Sequence, residues 1–192
     1  HYDAFKKRAP QPAMEQASAN IDEKYNAYFA GLTELIQFLE SGNMDQAEQF
    51  LSQEKSVIEK QFGPNTYKLG RPMRSLALLT AKRNQPELAE TMLKDVIELY
   101  SKTLGPNDPN LSGAYDNLAT LYVSRKMLPE ARAAFARSLQ ISLKNVGEND
   151  ISIAEDLRDL ALTYKLEGMY ADAEPLLRKS ASIMIEARGK NH

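Results

Sequence analysis

The sequence predicts an all-α fold, a right-handed α-solenoid of about four antiparallel helix pairs, and three observations predict it. A Gly-x-Asn triplet recurs as Gly63-Pro64-Asn65, Gly105-Pro106-Asn107, Gly147-Glu148-Asn149 and Gly189-Lys190-Asn191, each copy 42 residues after the last. The same step of 42 relates Ala47, Ala89, Ala131 and Ala173, and again Val57, Leu99, Ile141 and Ile183. A second break falls inside each interval: Ser41-Gly42-Asn43, Arg83-Asn84-Gln85-Pro86, Lys126-Met127-Leu128-Pro129 and Glu167-Gly168-Met169. Self-similarity at a period of about 20–50 residues marks stacked supersecondary units. Two breaks per period divide each unit into two helices of roughly 15–18 residues. Alternating Val/Ile/Thr runs bounded by turn residues, the mark of strands, are absent.

Each element follows in order. Residues 1–20, with Pro10, Pro12 and the basic run Lys6-Lys7-Arg8, read as a linker or an extra N-terminal helix. The array then covers 21–188, in units of about 21–62, 63–104, 105–146 and 147–188, and 189–192 begins a further turn or a truncated end. Gly after a helical run supplies a left-handed C-terminal cap because it has no Cβ to clash. Pro64 and Pro106 stop the helix from continuing. Asp108 can cap the first helix of the third unit with Pro109 in its first turn, and Asn149 or Asp150 can cap the fourth.

Spacing fixes the buried faces. In the third unit Tyr115, Leu118, Ala119 and Tyr122 share one face of the first helix, and Ala131, Phe135 and Ser138 one face of the second. Ala119 and Ala131 let the two helices approach, and the larger residues fill the space around that contact. This pattern resembles the tetratricopeptide repeat. The fourth unit repeats it with Leu157, Leu160, Ala161, Tyr164, Ala173, Leu177 and Ser180, and the second holds Met73, Leu76, Ala77, Thr80, Ala89, Leu93 and Val96. The first departs most, with Gly31 and Glu34 where the pattern wants bulk. The 42-residue period, with Leu104-Gly105-Pro106-Asn107-Asp108-Pro109 and Tyr115-x-Asn117-Leu118-Ala119-x-Leu121-Tyr122, is similar to the kinesin light chain-like subclass, in a bacterial member.

The resemblance implies that the first helix of each pair lines a concave groove that takes a peptide. Residues beside the buried stripe should then face that groove: Arg71, Arg74 and Lys82; Asp116, Asn117, Thr120 and Ser124; Arg158, Asp159 and Lys165. Asn117 matches an asparagine common in such repeats, which implies contact with peptide backbone, and an amide both donates and accepts. Arg71, Arg74 and Lys82 on one side and Arg158 and Lys165 on the other suggest a peptide with acidic residues. The plainer reading makes them solvated faces with local ion pairs such as Arg158 with Asp159.

Composition narrows the chemistry. There is no cysteine, and the two histidines are His1 and His192, so thiolate, Ser–His and zinc chemistry have no internal residues to use. No catalytic residue, metal site or cofactor is expected, and the chain reads as a non-enzyme. With 24 basic against 26 acidic side chains it offers no excess of cations for nucleic acid. No apolar run reaches the ~18–20 residues that span a bilayer. At the C-terminal end, some of Leu176, Ile183, Met184 and Ile185 are expected to lie uncovered, either because the array continues past the Gly189 turn or because the open end serves self-association. The function expected is therefore a protein-interaction scaffold, against an assembly module using its C-terminal helix and, more remotely, an enzyme on a helical array. The polar, proline-containing lead favours an extracytoplasmic, periplasmic setting.

Overall fold

A computed structural model describes residues 33–189. The expected segment 1–20, the start of the first unit with Gly31, and the turn begun by Lys190 and Asn191 lie outside these. The described residues are helical with short turns, and no strand occurs among them. The chain divides into two compact units, His1–Phe50 and Leu51–His192.

In the first unit, helix α1 (33–40) ends at a turn over Ser41 and Gly42, and α2 (Met44–Phe62) starts there and runs on beyond the boundary. Asn43 opens α2 as a reciprocal cap: its Oδ1 accepts from the Gln46 amide at 3.2 Å while its Nδ2 donates to Gln46 Oε1 at 2.6 Å.

The second unit contains α3 (Gly70–Lys82), preceded by a single 3₁₀ turn (Tyr67–Leu69), α4 (Pro86–Leu104), α5 (Asn110–Ser124), α6 (Leu128–Val146), α7 (Ile151–Leu166) and α8 (Tyr170–Gly189). The starts have local causes. Pro86 sits at the head of α4 and Pro129 in the first turn of α6, where a missing amide proton costs nothing. Asp108 accepts from the Asn110 amide at 2.9 Å ahead of α5, and Asp150 caps α7 by accepting from the Ser152 amide at 2.9 Å.

The ends fall into two repeating kinds. Gly105 and Gly147 close α4 and α6 at φ 95°, ψ 164° and φ 86°, ψ 169°. That is not the left-handed helical cap expected; it is a region that only glycine occupies at low cost. The turns inside the pairs hold the left-handed residues instead: Gly42, Asn84, Lys126 and Gly168, at φ 71°, 61°, 60° and 78°. Around them the amide after the left-handed residue reaches back five residues, as Gln85 to Thr80 (3.2 Å), Met127 to Tyr122 (2.9 Å) and Met169 to Tyr164 (2.9 Å).

From α3 to α8 each helix packs on its chain neighbours, pair against pair. One apolar cluster joins Ala77, Ala89, Leu93, Leu118, Leu121, Tyr122 and Ala131; another joins Ala119, Ala134, Phe135, Leu139, Ile153, Leu157, Leu160 and Ile183. Two buried hydroxyls tie first helix to second at equivalent places, Ser138 donating to the Ser112 carbonyl (3.1 Å) and Ser180 to that of Ala154 (2.6 Å). In the pair of α3 and α4 the corresponding residues are Val96 and Gly70. There the Tyr100 ring lies so close to Gly70 that a Cβ would overlap ring carbons.

Candidate functional site

Steps of 42 lay side chains in rows across the first helices α3, α5 and α7. One row is Arg74, Asp116 and Arg158, the next Ser75, Asn117 and Asp159, and a third Leu78, Thr120 and Leu162. Because each row repeats a register, its members occupy the same place on successive helices. Between α5 and α7 these rows border a cavity of about 270 Å³ lined by Thr120, Val123, Phe135, Asp159, Leu162, Thr163 and Leu166. Its wall is largely apolar, and Leu162 and Leu166 are exposed large hydrophobics, as is Leu78 on α3.

The predicted cations do not form one open basic surface. Arg71 donates to Glu54 on α2, 17 residues back. Arg158 pairs with its neighbour Asp159 at 3.2 Å, with both side chains well exposed, which matches the plainer reading of that charge. Arg74 lies across α5, its Nη1 2.6 Å from where a Cβ on Gly113 would stand. Lys82 and Lys165 are exposed near the ends of α3 and α7. Ser124 is turned to its own helix and donates to the Leu121 carbonyl at 2.7 Å. Thr120 is exposed and Asn117 half-buried. The cavity brings Thr120 and Asp159 together.

The centre of this face carries carboxylates. Burial pushes the Asp116 carboxyl up to about 6; the Ser138 hydroxyl and Arg74 oppose this in part, and Asp156 and Asp159 add to it. Among the described residues its Oδ1 is buried without a hydrogen-bond partner. Burial also raises Asp156, offset in part by the Ser142 hydroxyl, and the Asp156 Oδ2 is likewise unpartnered. No group of His, Asp or Glu converges as a metal site among the described residues. No described helix is long and apolar enough to cross a membrane.

The C-terminal expectation needs correction at one residue, Ile183. Ile183 is 4 % exposed, inside the cluster with Leu157 and Leu160, and Leu176 and Met184 pack against that cluster. Ile183 occupies the register of Ile141, which is buried in the preceding pair, so its period aims it inward. Only Ile185 of the four faces out, at 70 % exposure. The uncovered side of α8 carries Tyr170 and Leu177 instead.

Two seams between pairs went unread in the sequence. Glu90 on α4 accepts from Tyr122 Oη on α5 at 3.0 Å and from Arg125, and from Lys94 on its own helix at 2.7 Å. The Lys94 bond, with those of Tyr122 and Arg125, holds the Glu90 carboxyl below its ordinary value against the opposing effect of burial. One step on, Arg132 on α6 faces Glu167 at 3.2 Å and lies over the Tyr164 ring at 5.3 Å. Positions 90 and 132, and 125 and 167, are each 42 apart with the charges exchanged. That sign swap was the available signal.

Two family models described as tetratricopeptide repeat match residues 73–110 and 110–186. A third, described as the Tar ligand binding domain homologue, matches residues 1–69, a stretch that includes the loosest repeat unit. Among solved structures the chain resembles BtubC (BKLC) from P. vanneervenii, with 21% identity and a TM-score of 0.72 over 81% of this chain and 62% of that one. It thus spans under two thirds of that protein. It also resembles a kinesin light chain-type protein of Podosopora anserina with nearly identical TPR-like repeats (20% identity, TM-score 0.69, 82% of this chain and 74% of that one). A third neighbour is YrrB, described as a TPR protein with an unusual peptide-binding site (18% identity, TM-score 0.53, 100% of this chain and 97% of that one). At these identities the likeness speaks for the fold. Repeats of this family are typically non-catalytic scaffolds for protein interaction. Contiguous matches over 73–186, the helix pairs at a 42-residue step and the kinesin light chain-like neighbours agree: the chain belongs to the tetratricopeptide-repeat family.

Proposed function

We propose that this chain is a non-catalytic scaffold that holds an extended peptide of a partner protein across α3, α5 and α7, in an array whose units run about 21–62, 63–104, 105–146 and 147–188. The observation that carries this is the open, mainly apolar cavity of about 270 Å³ between Thr120 and Leu162. It takes one apolar side chain of the peptide, while the half-buried Asn117 amide holds its backbone. Exposed leucines beside a concavity on a repeat surface are favourable to cover, since each stabilises by about 25 cal/mol per Å² of apolar surface removed from water. The peptide-binding site in the description of YrrB supports the same use of the fold.

The acidic character first suggested for the peptide narrows to one end. Glu54 holds Arg71, and Asp116, Asp156 and Asp159 make the centre negative, so an acidic peptide residue is placed opposite Arg74 and Lys82 alone. Capture of partners on immobilised protein tests both statements. Leu162→Arg fills the cavity and should lower retention of a specific partner at least tenfold, with an unchanged thermal melt. Arg74→Glu should lower it several-fold where the partner carries the acidic residue. Equal retention by the wild type and Leu162→Arg would remove the groove as the binding surface.

A further inference from the structure

We infer that Gly113 is a positioning residue of the groove: with no side chain of its own, it lets the Arg74 guanidinium of α3 lie on α5 and face an Asp or Glu side chain of the bound peptide. Gly113 stands inside α5 and is not among the glycines with positive φ, so it does not serve there as a turn residue. Glycine in a helix interior is less favourable than alanine, because it loses more backbone freedom on folding. The room left by the missing Cβ is used by one group. Within 4 Å of where that Cβ would stand lie Arg74 Nη1 at 2.6 Å and Arg74 Cζ at 3.6 Å, and, among the described residues, no other atom from a neighbouring helix. The glycine therefore serves no close approach of helix backbones. It gives a seat to one guanidinium.

The seat leaves the donors of Arg74 open. The residue is half-buried, and among the described residues it makes no hydrogen bond or ion pair. Arg71, one turn earlier on the chain, is by contrast held by Glu54. Arg74 acts through space on Asp116 of α5 and on Tyr100 of α4, which places its head where α3, α4 and α5 meet. Asp116 draws it towards α5 without bonding to it. A planar guanidinium with free paired N–H groups matches a carboxylate bidentately. Steps of 42 carry Arg74 to Asp116 and Gly113 to Glu155. At the α5–α7 seam the same two places thus hold carboxylates, so the arrangement that takes an acid belongs to the α3–α5 seam. The ligand rests on the proposed groove; the seat does not.

Two measurements separate seat from ligand. In the free full chain the Asp116 carboxyl is titrated by NMR. Removing the cation with Arg74→Met, or displacing it with Gly113→Ala, should raise the midpoint from about 6 by the same few tenths of a pH unit, and the double variant should raise it no further. Gly113→Ala should melt no lower than the wild type, since only the end of a side chain has to move. A Gly113→Ala midpoint at the wild-type value, or a double variant shifted by the sum of the two, overturns the seat. For the ligand, a phage-displayed library of random dodecapeptides is selected on the immobilised full chain. Peptides kept by the wild type should be enriched in Asp or Glu by roughly threefold over the unselected library. Gly113→Ala and Arg74→Met should both abolish that enrichment and keep the enrichment in apolar residues. Acid enrichment that survives Gly113→Ala overturns the proposal and leaves the groove standing. No enriched peptide on the wild type removes the groove itself and, with it, the carboxylate ligand.

Discussion

Asp116 feels three helices at once. Burial raises its carboxyl, Asp156 and Asp159 on α7 raise it further, and Ser138 on α6 and Arg74 on α3 offset only part of this. The sign of the pH effect follows from where the proton resides. Below the ordinary value of 3.8 both folded and unfolded chains hold it, and the residue contributes nothing to pH dependence. Between 3.8 and about 6 the folded chain keeps a proton that the unfolded chain has lost, so stability falls as pH rises, and above about 6 the loss is complete. Asp116→Asn keeps the shape and removes the charge. It should stabilise the protein by about 1–3 kcal/mol near pH 8 and by little near pH 4, read as urea midpoints. An equal gain at both pH values would mean the charge is not the cause. The sequence places Asp116 beside the buried stripe, yet its protonation is illegible there. Its neighbours come from α3, α6 and α7, and only packing brings them together. The same holds for Arg71, whose carboxylate on α2 no local pattern announces.

At the scale of the element, the breaks between helices were legible and their conformations were not. Gly105 and Gly147 announce themselves by residue type, because only glycine tolerates their backbone angles. The turns within pairs hide theirs. Gly42 and Gly168 fill the left-handed position in two units, but Asn84 and Lys126 fill it in the others, so the 42-residue series is invisible in residue identity. Lysine in that conformation sets Cβ against the following carbonyl, a cost of roughly 1–2 kcal/mol that glycine avoids, less what glycine loses in unfolded-chain entropy. Lys126 is exposed, and its amide donates to the Val123 carbonyl at 3.0 Å with or without a side chain. Lys126→Gly is therefore expected to stabilise by about 0.5–1 kcal/mol, and Lys126→Val to destabilise by at least as much. Thermal melts of the two variants check this. A melt lowered by Lys126→Gly would show that the lysine side chain contributes more than its backbone costs.

Across Leu51–His192 stability is a chain of nearest-neighbour terms, since each helix packs mainly on those adjacent in sequence. The 42-residue period made this stacking legible, because one unit cannot bury its own apolar face. The covering of the last face was not legible: counting apolar residues on α8 does not reveal that Ile183 turns inward while Leu177 stays open. Leu157 is the natural place to test the coupling. It is 4 % exposed in the cluster that also contains Ala119 on α5, Phe135 and Leu139 on α6 and Ile183 on α8. Leu157→Ala should cost about 2–4 kcal/mol through lost burial and the cavity left behind. In a compact core that loss would lower one shared transition. In a linear array it falls mainly on α7 and α8, which among the described residues pack on one side only, while α4 and α5 keep their own cluster around Leu93 and Leu118. Hydrogen exchange in rising urea should then show amides of α7 and α8 losing protection before those of α4 and α5, further apart in Leu157→Ala than in the wild type. Amides that move together in both proteins would mean the unit folds as one body. The α6–α7 seam with Arg132 and Glu167 would then transmit the loss as fully as the apolar core does.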